Sequence, residues 1–110
     1  MHARVWHIRV APGKHAEMAE TVRSIAQLAR RHQGYRGALL LRPEEGADGE
    51  VLVIALWDSA EQMKASEQKL LVTQAMARVI DTSKAVPSIH EHEVLYCDLV
   101  GGGESRAATD

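Results

Sequence analysis

Apolar and polar residues alternate from Arg4 to Val10: Trp6, Ile8 and Val10 fall on one side, Val5, His7 and Arg9 on the other. A period of two is that of a strand. Pro12-Gly13 then supplies a turn, because proline presets one turn position and glycine accepts a positive φ at the next. From Lys14 to His32 the period changes. Met18, Val22, Ile25, Leu28 and Ala29 recur at steps of three and four, which predicts a helix with one apolar stripe. Glu17 and Glu20 lie early, where carboxylates suit the positive end, and Gly34 follows where a left-handed cap is expected.

Tyr35 to Arg42 and Glu50 to Trp57 read as a hairpin of two strands around the polar stretch 43–49, with Asp48-Gly49 as a turn signal. A second helix opens at Asp58 or Ser59, since each has a Glu or Gln three residues on, the spacing of a capping box. Its apolar pattern runs through Met63 and restarts at Leu70, Leu71, Val72, Met76, Val79 and Ile80. Ser66-Glu67-Gln68-Lys69 between them is polar on all sides and predicts a bend or break. The helix stops between Thr82 and Pro87, and Ser88 to Asp98 forms a fourth strand. Residues 1–99 make one domain, and residues 100–110, with Gly101-Gly102-Gly103 and no apolar anchor, a flexible tail.

The order β-α-β-β-α-β is that of the ferredoxin-like α+β fold. It implies a four-stranded antiparallel sheet with the first and fourth strands adjacent. Right-handed crossovers put both helices on one face of the sheet. The third strand is then conspicuous, because every position from Val51 to Trp57 is apolar and successive residues point to opposite faces. Ala38 to Leu41 adds to the same problem. Helices on one side leave Leu and Val side chains of the other face in water, and a few of them represent several kcal/mol of association free energy at ~25 cal/mol per Å². The tail and the long loop are too polar to cover that face, so a closed homodimer is expected.

Charge and composition narrow the function classes. Net charge is −2 with histidine neutral, which disfavours a nucleic-acid partner. The short run Arg30-Arg31-His32 reads instead as cations at a helix C-terminus. The longest uninterrupted apolar run, Val51–Trp57, is too short for a bilayer, and Met1 to Trp6 lacks the apolar core of a signal peptide. With a single cysteine, Cys97, read as a buried inert thiol, the expectation is a cytoplasmic protein without membrane association. Phosphate-binding glycine motifs, GxSxG and CxxC are all missing.

Histidine is the remaining chemistry. His2, His15 and His32 sit at the terminus or at helix ends and read as solvated. His90 and His92 share a face of the fourth strand, and strand adjacency brings His7 toward them. Three imidazoles could take a divalent metal, but no Cys or carboxylate at ligand spacing supports this, and no metal is expected. One of the three could instead accept a proton, because imidazole titrates near neutrality. Trp6, Tyr35 and Trp57 are packing residues or walls for a flat aromatic ligand. Arg36 is a solvated edge residue or a partner for an anionic oxygen.

Three stretches resemble the antibiotic biosynthesis monooxygenase domain family, the dimeric α+β barrel group. They are Val10-Ala11-Pro12-Gly13-Lys14, Gly34-Tyr35-Arg36-Gly37, and the apolar third strand closing on Trp57-Asp58-Ser59-Ala60-Glu61-Gln62. The similarity spans about Ala3 to Asp98. It implies two sheets packed face to face, a cavity between helices and sheet in each subunit, and oxidation of a small aromatic or quinol-type substrate without any bound cofactor. The group also contains haem-degrading enzymes and proteins without an established reaction, so a non-catalytic small-molecule-binding or assembly module is the alternative. Many members carry a histidine in the second helix. Here that stretch reads Met63-Lys64-Ala65-Ser66 and the later turn Gln74-Ala75-Met76-Ala77. The resemblance therefore does not extend to haem ligation there, and the base would come from the sheet, as His7, His90 or His92.

Overall fold

The computed structural model describes residues 1–44 and 49–100, with only the backbone of 70–72. Strand β1 spans His2–Arg9, α1 His15–Ala29, β2 Tyr35–Leu41, β3 Glu50–Trp57, α2 Ala60–Glu67, α3 Leu70–Asp81 and β4 Ser88–Glu93. The sheet is four-stranded and antiparallel in the order β2-β3-β1-β4. This is the ferredoxin-like α+β arrangement read from the sequence. The first and fourth strands are neighbours, with Val5 opposite His90.

Several boundaries differ for local reasons. Helix α1 stops at Ala29, where Arg30 caps it in a right-handed conformation. Gly34 therefore caps no helix. Its φ of +94° turns the chain into β2, and its carbonyl accepts the Asp58 N–H at 2.7 Å. The predicted interruption of the second helix is real and falls at Gln68-Lys69, between α2 and α3. Of the two candidate caps, Ser59 wins: its hydroxyl accepts the Gln62 N–H at 3.2 Å. Strand β4 ends at Glu93, after which Val94 N–H donates to Met1 O. Cys97 lies beyond that last tie and is exposed, not buried, because no element covers it. Asp48 and the segment 101–110 lie outside the described residues.

Alternation sorts the strands into two faces. Cross-strand partners Trp6–Val53 and Ile8–Val51 point toward the helices. There Ile8, Val10, Met18, Val22, Val51 and Val79 form one buried cluster, and Ala29, Trp57 and Met63 form another. Burying a side chain such as Met18, which is 1% exposed, stabilises the fold by about 1.5–3 kcal/mol. The opposite face carries Leu39 and Leu41 of β2 across from Ile54 and Leu52 of β3, with no helix over them. Leu39 and Leu41 are 41% and 43% exposed.

A β-bulge decides which side of β2 faces where. Tyr35 pairs with Trp57, but Gly37 pairs with the next residue, Leu56, leaving Arg36 as the extra residue. Tyr35 therefore joins the helix side with Trp57, whereas Leu39 and Leu41 stand on the open side. Without the bulge, all four odd-numbered positions would share one face.

Candidate active site

Between the helices and the sheet lies an apolar cavity of about 80 Å³, walled by Trp6, Tyr35 and Trp57 and lined also by Met63 of α2 and Met76 of α3. The aromatic walls are ordered by each other. Tyr35 and Trp57 meet edge to face, with ring centroids 5.3 Å apart and planes at 76°. Strand parity places Trp6 and Trp57 on this side, and the bulge adds Tyr35. Half-burial of Tyr35 raises its hydroxyl above the ordinary 10.0, because desolvation disfavours phenolate, with the charge of Arg30 partly opposing. Small residues, Ala26, Ala38 and Ala55, leave the space that larger side chains would fill.

Two charged residues belong to the wall, Arg4 and Glu67, and they are ion-paired with each other through Arg4 Nη1 and Glu67 Oε2. The Arg4 side chain is 12% exposed and that of Glu67 25%. Arg4 Nη2 reaches Glu91 Oε2 at 3.3 Å, and His2 Nε2 lies 3.0 Å from Glu91 Oε1. His2 is thus a half-buried member of this group and not a solvated terminal residue. Glu91 itself titrates below the usual carboxylate range. Desolvation would raise it, but the charge and hydrogen bond of Arg4 outweigh that, helped by His2 and Lys64. The hydroxyl-bearing Ser66, 1% exposed, also lines the cavity.

The three histidines singled out from the sequence stand elsewhere. His7 and His90 do come together, edge to face at 5.3 Å, and Ser88 Oγ lies 3.2 Å from His90 Nε2. His92 sits opposite Ala3 on the same face. That face is the open one, because His7 alternates with Trp6 and His90 opposes Val5. The sheet therefore separates all three from the cavity, and none of them lines it. Among the described residues no three His, Cys, Asp or Glu side chains are grouped to hold a metal ion. Arg36 does not line the cavity either. Its Nε is 2.5 Å from Asp58 Oδ1 at the exposed edge created by the bulge.

Arg4 and Glu67 were not singled out by sequence reasoning, although a signal existed for the first. Arg4 shares the parity of Trp6 and Ile8, so it is a cation on the core-facing side of β1. Glu67 lies in the polar stretch that predicts a helix break, and only the fold brings this end of α2 to Arg4.

The sequence model for antibiotic biosynthesis monooxygenases matches residues 1–78. No match is found among curated proteins. Solved structures share the fold at low identity. A Nitrosomonas europaea protein assigned to the antibiotic biosynthesis monooxygenases superposes with a TM-score of 0.76 at 14% identity, over 87% of this chain and 100% of that one. One from Chloroflexus aurantiacus gives 0.76 at 19%, over 91% and 98%. SnoaB of Streptomyces nogalater, a cofactor-independent oxygenase, gives 0.76 at 17%, over 87% and 94%. No helix among the described residues is long and apolar enough to cross a membrane.

Proposed function

Because this chain belongs to the antibiotic biosynthesis monooxygenase family, we propose that it is a cofactor-independent monooxygenase acting on a small electron-rich aromatic or quinol-type substrate held in the helix–sheet cavity. The observation that carries this reading is the wall itself: Trp6, Tyr35 and Trp57 surround an apolar space whose charged groups are confined to Arg4 and Glu67. The likeness to SnoaB supports the reaction class. Aromatic walls fit a flat ring. A water-poor site strengthens the charge interactions at its polar end.

The chemistry needs little from the protein. An anthrone-type substrate loses a proton to give a carbanion, and the carbanion transfers one electron to dioxygen. Recombination forms a C–O bond, and loss of water leaves a ketone where the CH₂ group stood. One oxygen atom enters the product and the other leaves as water. Glu67 is the carboxylate on the cavity wall and takes the role of proton acceptor, with Arg4 holding the oxygen on which negative charge develops.

The functional unit of this reading is a cytoplasmic homodimer. The open sheet face with Leu39, Leu41, Leu52 and Ile54 supports the dimer, and the free thiol of Cys97 fits a reducing compartment.

Oxygen uptake with anthrone and quinol substrates tests the reaction. Turnover to the quinone, lost when Ala55→Leu fills the cavity, is the expected result. No uptake with either substrate, in a protein that still binds them, would favour the alternative of a non-catalytic binding module.

A further inference from the structure

Arg4 and Glu67 form an unusual pair for an apolar cavity. A guanidinium this deeply covered requires a counter-charge, since a buried unpaired cation is costly. Glu67 supplies it from a poor position. It is the last residue of α2, where the negative end of the helix dipole repels a carboxylate. Its place is therefore set by Arg4 and not by its own helix. Gln68 and Lys69 follow directly and lead into α3, so the carboxylate sits beside the interruption of the helical layer. The second partner, Glu91, is 3.3 Å away and exposed on the rim. Arg4 Nε is buried and has no hydrogen-bond partner among the described residues, so one donor of the guanidinium is unused.

Glu67 is both the anion on Arg4 and part of the wall. Moving that side chain frees Nη1 of Arg4 and widens the space in one step.

From this geometry we infer that the cavity takes its ligand as an aromatic oxyanion that replaces the Glu67 carboxylate on Arg4. This rests on the reading of the cavity as the substrate site. The oxyanion can be a carboxylate, which binds already charged. It can also be an ionised ring hydroxyl, whose proton passes to Glu67; the neutral carboxyl then releases Arg4 to the new anion. In both cases an oxygen of the ligand takes the charge-assisted hydrogen bond of Nη1 that Glu67 holds in the empty cavity. Arg4 is thus a determinant of substrate charge, and Glu67 holds its place when the cavity is empty.

Binding, read apart from turnover, tests this. Tryptophan fluorescence reports the cavity through Trp6 and Trp57, with benzoate and the uncharged benzamide as probes. Benzoate is expected to bind at least tenfold tighter than benzamide. Arg4→Gln should remove that preference, Arg4→Lys should restore part of it, and Glu67→Gln should tighten benzoate severalfold by removing the competing charge. The hydroxyl source is read with 4-nitrophenol, whose phenolate is yellow: binding should favour the yellow form in the wild type and not in Arg4→Gln. Equal affinity for benzoate and benzamide in the wild type overturns the proposal, as does an unchanged benzoate affinity in Glu67→Gln. If anions bind as stated but no substrate consumes oxygen, the oxygenase reading fails alone. If oxygen is consumed without any preference for anions, the present inference fails alone.

Discussion

His7 and His90 meet edge to face across adjacent strands, 5.3 Å between ring centroids, on the side of the sheet turned away from the aromatic cavity. Their proximity follows from strand order, and their side from the alternation that places Trp6 inward. The separation has a direct consequence. His7→Ala, His90→Ala and His92→Ala should each leave benzoate binding and oxygen uptake of the folded protein within about twofold of wild type, because the sheet stands between these side chains and the cavity. A hundredfold loss of uptake in folded His7→Ala would return the base to the sheet histidines.

The same open face carries the association argument. Leu39 lies opposite Ile54, and Leu39 is 41% exposed in the single chain. Leu39→Asp or Ile54→Asp should convert a dimer into a species of 12.1 kDa in sedimentation, with the circular dichroism of the fold retained. Wild-type protein already sedimenting at that mass at micromolar concentration contradicts the paired arrangement.

Gly34 offers a test of how the site is held together. Its φ is +94°, and a Cβ added there would come within 2.3 Å of Gln62 Oε1 and 2.9 Å of Gln62 Cβ. Gly34→Ala should lower stability by about 1–3 kcal/mol, read as a shift of the urea midpoint without a change in slope. Gly13, with φ +77° and nothing within 4 Å of an added Cβ, is the control. Gly13→Ala carries the backbone strain alone and should cost less.

Tyr35 and Glu91 set opposite limits on the pH range. Tyr35 has its hydroxyl raised by burial, so in the folded state it stays protonated where the unfolded chain ionises. Its contribution is complete below the ordinary value of 10.0 and is lost as pH rises from there through the folded value. Denaturation midpoints measured upward from pH 9 should therefore fall less steeply in Tyr35→Phe than in the wild type. Glu91 is lowered, so its contribution is present above the ordinary 4.5 and disappears as pH falls through the folded value. Glu91→Gln should flatten the acid limb below that point.

The repeating patterns of the chain were enough to specify the elements. A period of two marked the first strand, steps of three and four marked the helices, and Ser66 to Lys69 marked the interruption before α3. The doubly apolar run Val51–Trp57 likewise declared that both sheet faces need cover. These are properties of neighbouring residues, and neighbours are what a sequence records. The candidate site is different in kind. Whether Tyr35 joins Trp57 depends on one extra residue, Arg36, at a bulge that alternation does not announce. Whether Glu67 meets Arg4 depends on where the end of α2 is carried relative to β1, a contact across 63 positions of the chain. Whether the histidines reach the cavity depends on which side of the sheet the helices occupy relative to Trp6. Each of these is a distance between segments fixed by packing, so only the folded chain could decide where its aromatic walls, the Arg4–Glu67 pair on the cavity wall and its imidazoles would stand.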